Sequence, residues 1–187
     1  MSLRSPEEEA ESPNYANMER ERRWLVASER LPPMTGLPYW IVEDRYLVGT
    51  RLRLRKMLDS MSGKVSFKLT KKYEAADPLA RPIVTAYLTE DEHRVFAALP
   101  GLDLLKFRFK VADGPLAFNV DRFQAPLEGL ILTEIEQPDD LSLRNIVPPP
   151  WSAREVSLDV AFQGASLAGL SPAQARELIA ILPVRPL

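Results

Sequence analysis

The stretch Glu19-Arg20-Glu21-Arg22-Arg23-Trp24-Leu25-Val26 decides how the rest of the chain is read. In a strand, alternate side chains point to the same side. Glu19, Glu21 and Arg23 therefore share one face, just ahead of an apolar run. Two acids and a base in a row make an odd solvent edge but a sensible wall for a polar cavity.

The same alternation recurs outward along the chain. Arg51, Arg53 and Arg55 alternate with Leu52, Leu54 and Lys56, and Lys68, Thr70 and Lys72 lie opposite Phe67 and Leu69. Lys106, Arg108 and Lys110 alternate with Phe107 and Phe109. Among the acids, Glu134 and Glu136 alternate with Thr133 and Ile135, and Asp121 stands opposite Phe118 and Val120. Any one of these rows fits an ordinary half-exposed strand. Together they do not, because like charges on neighbouring strands repel unless something neutralises them. A barrel whose lumen carries both signs resolves the conflict: the cations hold a polyanion and the acids hold its divalent metal. Arg meets phosphate oxygens in a fork and Lys meets them as a point charge, so a triphosphate suits this lining.

Strands are expected near 18–27, 39–47, 50–58, 64–73, 82–88, 103–111, 116–123 and 129–137. Turn signals at Val48-Gly49, Ser62-Gly63-Lys64, Asp77-Pro78 and Asp113-Gly114-Pro115 separate several of them. Helices are expected over 89–99, 139–146 and 171–181, the last with Ser171 as cap, Pro172 at its first position and a stop before Pro183. The fold class is then α+β, mainly β: an eight-stranded antiparallel barrel, closed so that no edge is exposed, with a few flanking helices. Residues 1–17, rich in Glu and poor in aliphatics, read as a disordered leader, which leaves 18–187 as one domain.

Composition narrows the chemistry. A chain of 187 residues with 45% hydrophobic and 27% charged content is long enough for one well-buried core. A net charge of -2 disfavours nucleic acid as a partner. No run is long and apolar enough to span a bilayer, and the acidic start is unlike a signal peptide, so a cytoplasmic protein without a membrane partner is expected. There is no Cys, which removes thiolate chemistry. The single His93 sits in an N-capped amphipathic segment and reads as a solvated surface residue, not a base or a zinc ligand. A metal would then be held by carboxylate oxygens, which favours Mg²⁺, Mn²⁺ or Ca²⁺.

These segments resemble the CYTH superfamily, the triphosphate tunnel metalloenzymes. Glu19-x-Glu21-x-Arg23 is similar to its amino-terminal Glu-x-Glu-x-Lys signature. In order follow Tyr46-Leu47 with Leu52-Arg53-Leu54-Arg55, then Phe67-Lys68-Leu69-Thr70, Lys106-x-Arg108 and Asn119-Val120-Asp121-Arg122-Phe123. Gly129 to Glu136, Pro150-Trp151 with Arg154-Glu155-Val156, and Gly164-Ala165-Ser166-Leu167-Ala168 complete the match over about residues 18 to 168. Ordered together they are far more specific than one Glu-x-Glu.

The resemblance implies an eight-stranded tunnel that binds a triphosphate-containing small molecule and needs a divalent cation, Mg²⁺ or Mn²⁺. By position, Arg53, Arg55, Lys68, Lys106 and Arg108 would bind phosphate oxygens, and Glu19, Glu21, Asp121, Glu134 and Glu136 would hold metal. The expected activity is that of a triphosphatase, with inorganic tripolyphosphate favoured because nothing in the sequence suggests a base-recognition pocket. Two departures stand out. Arg23 occupies the place of the catalytic Lys, and Arg stays protonated and is a poor general base. The strand after Arg81 carries Ile83, Thr85 and Tyr87 where the family alternates acids. The alternatives are a non-catalytic polyphosphate or nucleotide binder and a class IV-type adenylate cyclase.

Other residues read as structural. Trp24, Trp40 and Trp151 are expected to pack between barrel and helices, and Tyr46-Leu47 to pack at a strand end. Arg51 and Lys71 could be surface charges, and Lys72 and Lys110 could lie beyond the tunnel. The helix at 171–181 could plug one end of the barrel or support a homodimer.

Overall fold

Every strand expected from the alternation forms, each within two residues of its expected limits. The computed structural model describes residues 15–182. Its order is β1 (Asn17–Val26), β2 (Tyr39–Leu47), β3 (Leu52–Asp59), β4 (Val65–Lys72), β5 (Ala80–Leu88), α1 (Glu90–Ala97), β6 (Gly101–Asp113), β7 (Leu116–Phe123), β8 (Ile131–Glu136), α2 (Asp140–Arg144), β9 (Ser152–Glu155), α3 (Gly164–Ala168) and α4 (Pro172–Ala180). The leader expected over 1–17 lies outside the described residues as far as position 14, and Asn17 already pairs with Ile83. Pro183, read as the stop of the last helix, also lies outside them; α4 ends at Ala180.

The strands run β5-β4-β3-β2-β6-β7-β8-β1 in antiparallel order, and pairing of β1 with β5 closes an eight-stranded barrel. The fold is mainly β, as expected. The outer edge of β1 is divided: residues 17–20 pair with β5, and Trp24 to Val26 pair with β9. Sequence reading missed β9 and α3, which are four and five residues long and too short to show a period. It also began β6 at 103, reading Pro100-Gly101 as a helix stop; Gly101 is already on the ladder opposite Leu47.

Alternation sorts the side chains. Outward residues Trp24, Val26, Phe109, Val111, Phe118, Val120, Ile131 and Ile135 form a core beneath Ile146 and Trp151. Trp24 and Trp151 both meet the edge of Phe118, at 6.2 and 5.8 Å between centroids. Trp40 departs from expectation: it is half-buried on the lumen side, with the Lys110 ammonium 5.8 Å above its ring. A second core fills one end of the lumen, where Leu25, Leu104, Phe123 and Leu132 meet Phe162, Leu167 and Ala175 from the carboxyl-terminal segments. α3 and α4 thus cap that end. Thr89 and Ser171 start α1 and α4 with reciprocal capping boxes. Among the described residues no helix is long and apolar enough to cross a membrane.

Candidate functional site

The inward faces of β1, β3, β4, β6, β7 and β8 surround a cavity of about 300 Å³. Glu19, Glu21 and Arg23 enter it from β1, Arg53 and Arg55 from β3, Lys106 and Arg108 from β6, Asp121 from β7, and Glu134 and Glu136 from β8. Phe162, Gly164 and Leu167 roof it from the carboxyl-terminal side, and Arg51, Glu74, Pro78 and Arg81 lie around its rim.

Register decides which charges meet. Arg108 pairs directly across from Asp121, so Nε and Nη2 fork onto the carboxylate, both at 2.7 Å. Lys106 Nζ donates to Asp121 Oδ2 at 2.5 Å. Arg108 Nη2 also reaches Glu134 Oε1 at 2.5 Å, and Arg23 Nη2 reaches Glu134 Oε2 at 3.1 Å. Arg23 continues the chain to Glu21 Oε1 at 3.2 Å, and Lys72 bridges Glu21 and Glu19. On the opposite wall Arg55 forks onto Asp44 at 2.6 and 2.8 Å, and Arg53 Nε stands 3.7 Å from the same carboxylate. That Arg53 Nε is buried without a hydrogen-bond partner, a donor still to be satisfied.

The electrostatics follow from burial set against pairing. Burial opposes the charge of Asp44, but Arg55 and Arg53 hold its carboxyl well below the usual range. Glu134 is held well below its usual value by Arg108 and Arg23 in the same way. Burial, with Arg108 and Arg55 alongside, pushes the Lys106 ammonium down to about 8 despite its bond to Asp121. Arg23 is driven the other way: Glu21 and Glu134 overcome burial and raise it further. Glu136 is raised by burial and by Glu19, Glu134 and Glu21 around it.

The five acids expected to hold metal therefore separate into two groups. Glu19, Glu21 and Glu136 each offer a carboxylate oxygen within 4.8 Å of the others. Three carboxylates crowded enough to raise Glu136 make a hard-oxygen donor set that suits a divalent cation, and the Lys72 ammonium already sits as a cation against two of them. Asp121 and Glu134 instead spend both carboxylate oxygens on cationic side chains.

Arg53, Arg55, Lys106 and Arg108 line the same cavity, whereas Lys68 does not; its ammonium lies 5.1 Å over Tyr87. Lys72, whose place inside or beyond the tunnel the alternation leaves open, is part of the wall. Arg51 lies at the rim with its guanidinium 5.5 Å over the Tyr73 ring, which Lys71 also faces at 4.8 Å. His93 stacks on Phe67 at 4.7 Å, outside the cavity lining. Sequence reading missed Asp44 and Arg81 and took Tyr46 as packing, although it lines the cavity beside Arg53 and Gly164. The alternation of Val42, Asp44 and Tyr46 carried the signal for Asp44 and Tyr46. On β5, Thr85 bonds Thr70 at 3.0 Å, so this wall closes on itself without acids.

The closed eight-stranded antiparallel barrel with ionised rows on its inner wall is a fold that solved structures share. One structure described as the inorganic triphosphatase NE1496 matches with a TM-score of 0.54 at 23% identity, over 82% of this chain and 99% of that one. A second, described as the hypothetical protein NE1496, matches with a TM-score of 0.53 at 23% identity, over 80% and 97%. No family model and no curated protein sequence matches the chain.

Proposed function

We propose that this protein is a cytoplasmic triphosphatase that hydrolyses inorganic tripolyphosphate with the help of Mg²⁺ or Mn²⁺. The observation that carries the reading is the convergence of Arg53, Arg55, Lys106 and Arg108 on one small cavity beside the crowded carboxylates Glu19, Glu21 and Glu136. The fold shared with an inorganic triphosphatase supports it.

In this reading Arg53 and Arg55 grip phosphate oxygens from β3 while Lys106 and Arg108 face them from β6. The unsatisfied Arg53 Nε gains its partner from the ligand. Glu19, Glu21 and Glu136 would hold the divalent cation, which when bound neutralises charge on the phosphoryl oxygens and polarises the attacking water. Phosphoryl transfer through a loose transition state relies on positioning and charge stabilisation and asks little of a general base. Arg23, a poor base, is compatible with that demand.

The test is phosphate release from tripolyphosphate, ATP and thiamine triphosphate with each metal. Arg53→Ala and Glu136→Gln should each lower kcat/KM on tripolyphosphate by about 10²–10³, the scale of losing one preorganised charge-stabilising group. No release from any substrate would sink the catalytic reading. A second reading, a triphosphate binder without turnover, is favoured by Arg23 standing wedged between Glu21 and Glu134. Calorimetric binding of tripolyphosphate without phosphate release would select it.

A further inference from the structure

Arg23 makes three bonds from a single guanidinium. Nη2 donates to Glu21 Oε1 at 3.2 Å and to Glu134 Oε2 at 3.1 Å, and Nη1 donates to the Phe162 carbonyl at 3.1 Å. The Phe162 bond ties the group to the roof, so it is braced from outside the acidic pair. Flanked by two carboxylates, it keeps its charge at any ordinary pH. The remaining oxygen of Glu134, Oε1, is taken by Arg108. Asp121 has Arg108 on Oδ1 and both Arg108 and Lys106 on Oδ2. Both oxygens of each of these acids are thus bound to cationic side chains, whereas Lys72 meets Glu19 through Oε2. Glu21 differs, because Arg23 and Lys72 both meet it through Oε1, and one of its carboxylate oxygens lies within 4.8 Å of oxygens from Glu19 and Glu136.

We propose that Arg23 is a built-in counter-cation that fills the space between Glu21 and Glu134, so that the protein takes one divalent ion per chain, at Glu19, Glu21 and Glu136, and none at Glu134 or Asp121. This rests on the metal-assisted reading above and fixes its stoichiometry. In this role Arg23 is a positioning residue: it neutralises the acidic pair and pins the roof over the cavity. Lys at this place would carry the charge as a compact ammonium on a flexible stem, without the planar fork that spans two carboxylates and a carbonyl.

The experiment is titration of the metal-free protein with Mn²⁺, read by calorimetry and by electron paramagnetic resonance, without any substrate. The wild type should bind one Mn²⁺ per chain and show no spin-coupled pair. Arg23→Ala, and Arg23→Met as a variant that keeps most of the side-chain volume, should each bind a second Mn²⁺ between Glu21 and Glu134. Two ions in the wild type overturn the proposal whatever the variants do. A single ion in both variants, with native circular dichroism, also overturns it. If no Mn²⁺ binds at all, the proposal and the metal requirement fall together. If the stoichiometry changes from one to two while tripolyphosphate is never cleaved, the counter-cation stands and the triphosphatase reading falls.

Discussion

Two residues show how burial and pairing set the chemistry of this lumen. Lys106 is held near the point of losing its proton, at about 8. A base whose folded value lies below its ordinary one is charged below that value and neutral above it. Tripolyphosphate binding should therefore weaken as pH rises through about 8. Calorimetry across pH 7 to 9.5 checks this, and Lys106→Met should bind more weakly and lose the step. Asp44 is the opposite case, a carboxyl held down by Arg55 and Arg53. Its contribution to stability is complete above the ordinary carboxylate range and is lost as pH falls through the folded value. Asp44→Asn leaves the buried Arg55 without its counter-charge and should cost about 3–5 kcal/mol in urea unfolding at pH 7. A loss below about 1 kcal/mol, the range of exposed pairs, would show that water screens this wall.

The strands were legible in the sequence and the roof was not, for a physical reason. Arg53 with Arg55, Lys106 with Arg108, and Glu134 with Glu136 announce themselves because period-two alternation is local and survives any tertiary arrangement. Which charge faces which depends on register, and register is set by pairing between distant segments. Asp121 thus reads from its strand as one more acid on the inner face, and only the register shows that Arg108 lies directly opposite it. Lys68 shares its face with Lys72 but lies four residues earlier, in the middle of β4, where it pairs with Tyr87. The roof consists of a 3₁₀ turn at Val160–Phe162 and the five-residue α3, neither long enough to carry a period. Gly164, in that roof, has a definite role. A Cβ there would stand 1.8 Å from the Tyr46 hydroxyl oxygen. Gly164→Ala should cost about 1–3 kcal/mol in denaturant unfolding, the scale of overpacking. Tyr46→Phe should return part of that loss in the double variant, because it removes the nearest atom while the ring carbon at 2.7 Å stays close.

At the scale of the whole molecule, closure is uneven around the barrel. β2 and β6 share nine register pairs through the middle of the sheet, whereas β1 and β5 share four at the rim. Past Arg20 the outer edge of β1 leaves β5: Glu21 N–H turns to the Leu79 carbonyl, and Arg23 N–H goes to Ser157 Oγ. The two residues at the centre of the signature stretch thus lie where the barrel changes partners. The consequence is kinetic. A short, half-exposed ladder is the part of a sheet that opens first. The amides of Ala80, Arg81 and Ile83 should exchange with deuterium well before those of β2 and β6. Breathing there would part Glu19 and Arg81, which face each other across the closing ladder, and leave the Asp44 and Asp121 ion pairs intact. The closing seam would then be the first part of the wall to open, and the cavity would communicate with solvent through its side while the deep ion-paired wall keeps its shape.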